Sequence, residues 1–307
     1  MYDVFLLFFN HSCCCFKKSK SEFLISLSNL LVSASFDRTI AMRWIYLSPH
    51  FDDIALSCGG LVWERVRAGE PVEIWTIGAG SAPLDSALSP FARSLHERWK
   101  LGLEEAAHAV EERRREDEAA GQRLGARMRF WDLPDCIYRR LPDGSWLVNG
   151  EDDLWQPFNP QETALMERLA EWLVEGLQPG DRLVSPMTLG NHVDHSLVRR
   201  AAERAAERAD APLWFYSDYP YAVRPGGEMV GKMGAGWQKQ CFTVTREGLR
   251  AWQDAIACYQ SQISTFWGGH KEMRSAIKEY WQAGGGTCLW ERSTTKPGGR
   301  ADETIKR

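Results

Sequence analysis

With 307 residues, 44% of them hydrophobic, the chain can bury a sizeable core as one large domain or two small ones. A formal net charge of −4 excludes the strongly basic face that would neutralise phosphates, so no nucleic-acid partner is expected. The eight cysteines are either consecutive (Cys13, Cys14, Cys15) or dispersed, with no C-x-x-C pair, which speaks against thiolate zinc and predicts reduced thiols in a cytoplasmic protein.

Residues 1–41 differ from the rest, being rich in Phe, Leu, Ser and Cys where the remainder is rich in Ala, Arg, Glu and Trp. Two apolar bursts, 4–9 and 23–32, flank a basic stretch at 17–20, and both fall short of the roughly 20 residues that cross a bilayer. No integral membrane segment is expected. A signal peptide would need residues 17–20 as its basic start and 33–35 as its cleavage site, but its apolar stretch is interrupted by Ser and Asn. Met42 is therefore expected as the start, with 1–41 a non-native or disordered extension.

From Met42 the pattern alternates between strands and helices. Residues 44–47, Trp-Ile-Tyr-Leu, predict a buried strand, stopped by Ser48 and Pro49. His50, Asp52 and Asp53 follow at once, and a helix is expected from about 55 to 67. Residues 71–77 predict a second strand, and 81–90 a small-residue loop at the same edge, a plausible substrate loop. A long helix is predicted from 96 to about 121, punctuated by Gly102 and carrying a charge run that reads as a solvated face. A third strand is expected at 128–133. Residues 137–148, with Asp143-Gly144 at the turn, predict a β-hairpin insertion.

An amphipathic helix at 163–177 and a fourth strand from 182 to 186 lead to Gly190-Asn191-His192-Val193-Asp194-His195 and a helix at 197–208. A fifth strand is expected at 213–216, running into a polar aromatic loop, 217–221. Beyond it come a short strand at 241–244, a helix at 247–259, and a Gly-rich end from Gly284, expected to fray. The layout is one domain over 42–283 with a flexible tail at 284–307. No internal repeat is present. The fold class is α/β: a doubly wound, mostly parallel sheet with helices on both faces and a small β-hairpin insertion.

Two strand ends far apart in the chain both carry His and Asp and both feed helices, and in a doubly wound sheet such ends lie along one edge. His50, Asp53 and His195 then form the two-His, one-carboxylate set of an open zinc or iron site. Asp52 is placed to take a proton from a water there, and His192 with Asp194 could form an imidazole–carboxylate pair on the opposite side of the reacting carbon. Each cluster alone is also compatible with a solvated turn in which Asp or His caps a helix.

Pro49-His50-Phe51-Asp52-Asp53 resembles the Pro-His-Pro-Asp-Asp motif of the LmbE-like (PIG-L) N-deacetylases, and His192-Val193-Asp194-His195 resembles their His-x-Asp-His motif. The resemblance runs from Arg43 to about Phe266. It implies a Rossmann-like fold and one Zn2+ (Fe2+ in its place in the cell) on His50, Asp53 and His195. It further implies Asp52 as general base, His192 as oxyanion stabiliser and acid toward the leaving amine, and Asp194 as the partner of His192. Arg113, three residues before Glu116, matches an arginine that contacts sugar hydroxyls in some members, and is otherwise surface charge. Phe51 replaces the middle Pro, and Ile54 stands where Glu commonly follows, changes that touch the pocket rather than a proposed ligand.

The implied activity is removal of an N-acyl (acetyl) group from an N-acetylglucosamine-type sugar or glycoconjugate, the partner being a small molecule or glycan. The alternative is a related zinc amidase acting on a thiol-sugar conjugate or other small amide. Two other classes are a nucleotide-binding module, for which Ser57-Cys58-Gly59-Gly60 lacks the Gly-x-Gly-x-x-Gly spacing, and a non-catalytic carbohydrate-binding descendant. Fourteen Trp suit core packing or flat faces that stack on sugars.

Overall fold

Five strands recur along the chain: β1 (Trp44–Ser48), β2 (Val72–Thr76), β3 (Arg127–Phe130), β4 (Arg182–Pro186) and β5 (Leu213–Tyr216). They pair in parallel in the order β3-β2-β1-β4-β5. β6 (Trp237–Cys241) and β7 (Cys288–Arg292) extend the sheet in antiparallel fashion, with β7 lying between β5 and β6. This is a computed structural model, which describes residues 42–81, 88–99, 106–223 and 236–292. The expectations for 1–41, for most of the 81–90 loop and for the tail beyond 292 lie outside the described residues.

The strands are apolar on both sides because helices cover both faces. Trp44, Tyr46 and Ile74 enter one core with Leu61, Val62 and Trp252, while Ile45, Leu47 and Trp75 enter the other with Leu169, Leu173 and Leu197. α1 (Asp53–Arg67), α2 (Pro90–Trp99) and α3 (Ala106–Leu124) follow in chain order, then α4 (Thr163–Gly176) and α5 (Val193–Ala209). α6 (Arg246–Ile256), α7 (Gln260–Phe266) and α8 (His270–Gln282) complete the set among the described residues. The first core takes side chains from α1, α3 and α6, the second from α4 and α5. Strand order runs outward from β1 to β3 on one side and from β4 to β5 on the other. The β1–β4 junction is therefore the switch point, where a crevice opens at the carboxyl ends of the strands.

Gly59 and Gly60 serve packing. A Cβ at either would come within 2.8 Å of the Trp252 ring. Trp252, fully buried, sends its indole N–H to the carbonyl of Ala55, beside the non-helical backbone of Cys58 that kinks α1.

Four expectations change. The short strand expected at 241–244 lies earlier, at Trp237–Cys241, where β7 offers it an edge; of the long helix predicted over 96–121 the structure describes the end of α2, up to Trp99, and α3 from Ala106, with 100–105 outside the described residues. The hairpin shrinks to one antiparallel bridge, Arg140 to Trp146, about a turn where Gly144 takes φ +85°. The end expected to fray from Gly284 instead supplies β7, whose Cys288, Leu289 and Trp290 are buried. The thiols are not all reduced. Cys241 and Cys288 stand opposite each other in the β6–β7 register and form a disulfide, a pairing hidden in sequence by a separation of 47 residues. That removes the ground for a cytoplasmic assignment. No described helix is long and apolar enough to cross a membrane.

Candidate metal centre and active site

The turn after β1 is held by its own polar groups. Ser48 Oγ donates to the carbonyl of His50 (2.6 Å), and the His50 N–H donates to Asp53 Oδ2 (2.7 Å). Gly78, at the end of β2, presses on this turn so closely that a Cβ there would lie 2.6 Å from the Pro49 carbonyl oxygen. Asp52 occupies the N-cap position of α1, yet its side chain makes no capping hydrogen bond, so its carboxylate is free for other work. After β4 the backbone takes left-handed conformations at Thr188, Gly190 and Asn191, which turns the chain sharply into α5. His192 caps α5 by accepting the Asp194 N–H on Nδ1 (3.2 Å). In a neutral ring this leaves the proton on Nε2.

Because β1 and β4 are neighbours, the two turns meet. His50 Nδ1 lies 3.3 Å from Asp53 Oδ2, and His195 Nε2 lies 3.3 Å from Asp53 Oδ1. Donor atoms of all three residues fall within 4.8 Å of one another. Two ligand atoms at about 2.05 Å from one tetrahedral ion are about 3.3 Å apart, so the set fits a divalent metal. The outer nitrogens of both rings are engaged by carboxylates: His50 Nε2 with Asp194 Oδ2 at 3.0 Å and His195 Nδ1 with Asp218 Oδ1 at 2.6 Å. Such carboxylates fix ring orientation and raise ligand basicity. Asp218, fully buried just after β5, also accepts the Leu189 N–H at 3.0 Å.

The surrounding carboxylates act on both imidazoles. Burial would depress both imidazoles, but the Asp53 charge and a hydrogen bond to Asp218 hold His195 at about 9, and the Asp135 charge with Asp194 and Asp53 raises His50. Burial would raise Asp53, and the His195 and His50 cations instead hold it well below the usual range. The pocket thus demands positive charge, which two ring protons supply and one divalent ion could replace. Burial lifts Asp52 to about 6, against the opposing pull of Arg113. His192 is held well below its usual value by burial and by the neighbouring imidazoles.

A second donor group, His50, Cys136, His192 and Asp194, is equally close-set. Its members are already engaged. Asp194 meets Arg139 Nη1 at 2.6 Å and accepts the Cys136 N–H at 3.0 Å, while burial and adjacent carboxylates push the Cys136 thiol up.

Of the residues singled out in sequence, His50, Asp52, Asp53, His192 and His195 all line one cavity of about 270 Å³. Arg113 lines it too and is buried rather than surface charge, with its guanidinium 3.9 Å from both Asp52 and Asp135 and stacked on Trp99. Glu116 turns away to the Ser261 N–H and hydroxyl. Asp194 departs from its expected role: its carboxylate serves His50, Arg139 and Cys136, and only its backbone N–H bonds to His192. Sequence reasoning missed Asp218 and Asp135, whose signal was an acid in the connections that follow β5 and β3. It also missed the aromatic wall, where Trp155 lies 5.3 Å from His192 and 5.4 Å from Tyr221 between ring centres.

A family model described as PIG-L, GlcNAc-PI de-N-acetylase, matches residues 45–206. A 2′-N-acetylparomamine deacetylase of Streptomyces fradiae is 31% identical over 186 residues, 59% of this chain and 58% of that protein. One of the same description from Niallia circulans is 27% identical over 58% of this chain and 67% of its own. The chain thus spans little more than half the length of the first of these relatives. The zinc-inhibited form of the teicoplanin deacetylase Orf2 superposes with a TM-score of 0.68 at 27% identity, covering 83% of this chain and all of that one.

Proposed function

The chain belongs to the PIG-L family, and from that premise we propose that it is a metal-dependent hydrolase that removes an N-acetyl group from an aminosugar. The carrying observation is the meeting of His50, Asp53 and His195 around one point, with Asp52 and His192 beside it in the same cavity. Likeness to deacetylases that act on N-acetylparomamine and teicoplanin supports an aminosugar within a small glycoconjugate as the substrate.

In this reading His50, Asp53 and His195 hold Zn2+, or Fe2+ on the same donors. Such an ion would supply Lewis acidity to the amide carbonyl and would lower the pKa of a nearby water. Asp52, at about 6, is ionised near neutral pH and accepts the proton of the attacking water. His192 presents Nε2–H to the developing oxyanion and keeps that proton, while Asp52, having accepted the proton of the water, passes it to the leaving nitrogen. The depressed pKa of His192 keeps the ring neutral at rest, ready to donate one hydrogen bond without a standing charge against its neighbours. The Arg113 guanidinium borders the cavity 3.9 Å from Asp52, a place that suits a contact to a sugar hydroxyl. Trp99 and Trp155 line the cavity and give the sugar ring apolar walls.

The test is release of free amine from a panel of N-acetyl aminosugars, including N-acetylparomamine and N-acetylglucosamine derivatives, with metal content assayed on the same protein. Amine release that stops on chelation and returns with zinc is expected. Metal-replete protein that releases no amine from any member of the panel overturns the assignment.

A further inference from the structure

Asp194 has two ways of serving an ion in this pocket: as a ligand, or as the acceptor that holds a ligand's outer nitrogen. Its carboxylate belongs to the second close-set donor group, which shares only His50 with the first, so an ion drawn to the Nε2 side of that ring would find Asp194 as a ligand. We propose that Arg139 decides between the two, as a positioning residue that keeps Asp194 on the outer nitrogen of His50 and off the metal. This rests on the metal-dependent reading above.

Asp194 Oδ1 lies 2.6 Å from Arg139 Nη1 as an ion contact without hydrogen-bond geometry, while Oδ2 takes His50 Nε2 and the Cys136 N–H, each at 3.0 Å. Arg139 is in turn immobilised. Its Nε and Nη2 donate to the two oxygens of Glu162 at 2.7 and 3.1 Å, and Nη1 donates to the Pro134 carbonyl at 3.2 Å. A planar fork gripped on one side by a carboxylate has little freedom left on the other.

Neither Arg139 nor Glu162 lines the cavity, and both are buried. An ion pair withdrawn from water is weak evidence of stabilisation, because desolvation offsets the attraction. What this pair does is join three segments: the connection after β3, the residue preceding α4, and the first turn of α5. The Arg139 and Glu162 charges cancel, so Asp194 is fixed in place and remains an anion facing His50. The chain runs Glu162, Arg139, Asp194, His50, and ends on a proposed ligand.

The double variant Arg139→Met, Glu162→Met replaces the pair with uncharged side chains of similar length, a kind of swap that folded proteins tolerate. Zinc affinity is read by chelator competition on the purified chain, with thermal melting of the metal-free form alongside. The expected result is a loss of about 10–100-fold in zinc affinity, the usual size of an outer-shell effect, with the metal-free melting temperature kept. Glu162→Gln alone leaves the Arg139–Asp194 contact and should hold zinc as the wild type does. A double variant that binds zinc at wild-type strength overturns the proposal, as does a Glu162→Gln loss equal to that of the double variant. Should the double variant not fold, Arg139→Gln is read instead, and unchanged zinc affinity there overturns it. Wild-type protein that binds no divalent ion overturns this proposal and the functional reading together. Wild-type protein that binds zinc but releases no amine refutes only the deacetylase reading, and the role of Arg139 is then judged on affinity alone.

Discussion

Asp117 offers a test of the packing that needs no substrate. It sits on α3, fully enclosed, accepting hydrogen bonds from Thr76 Oγ1 (2.7 Å) and Tyr259 Oη (2.6 Å). Burial pushes its pKa up to about 8, more than these hydrogen bonds pull it down. Between about pH 4 and pH 8 the folded chain therefore holds a proton on Asp117 that the unfolded chain has lost. With more protons bound in the native state, stability must fall as pH rises through that window, by about 1.4 kcal/mol per pH unit from this group alone. From pH 5 to pH 7 that is about 2.7 kcal/mol, or roughly 5–10 °C in melting temperature for a domain of this size. Asp117→Asn keeps an acceptor for Tyr259 and gains a donor for Thr76, yet cannot titrate. Thermal melts of both proteins at pH 5 and pH 7 should show the variant losing that much less over the interval. Asp52, also raised, is present in both proteins, so the difference in slope reads the loss of the Asp117 titration together with its charge coupling to Asp52. Equal pH slopes in the two proteins would refute the reasoning.

Asp53→Ala should lose the metal, whereas His192→Ala should keep it and cut turnover by about 100–1,000-fold, the usual loss for one oxyanion donor; metal analysis and steady-state rates on the two variants check this. Asp218→Asn leaves one acceptor to serve both His195 and Leu189, and zinc affinity by chelator competition should drop by about 10–100-fold. Cys241→Ser with Cys288→Ser opens a loop of 47 residues' separation. Loop-closure entropy predicts about 4 kcal/mol of lost stability, measurable by denaturant unfolding without reductant.

Much of the site could be read in the chain because its chemistry is packed into two short turns. His50, Asp52 and Asp53 fall within four residues, and His192 and His195 within four more, each cluster directly after an apolar strand. The second layer could not be read that way. Asp218 is one acid in a polar aromatic loop until β5 brings it under His195, and Arg139 is one of two adjacent arginines until Glu162 and Asp194 close on it. The exchange of partners at Asp194 has the same cause. Its distance from His192 is short in sequence, but the helix it starts turns its carboxylate toward His50.

Local pattern determined the parallel half of the fold: apolar runs covered on both faces, ended by Pro or Gly and followed by amphipathic helices, allow little else. Tertiary contact alone decided the antiparallel edge, since β7 exists only where β5 and β6 offer free hydrogen-bonding edges, and the Cys241–Cys288 pairing follows from that register. It also decided that Arg113 is buried, because a charge run on a helix has no inward side until Trp99 and the turn after β1 arrive to cover it. Residue identity carries the chemistry, and the sheet order places two remote turns at one switch point.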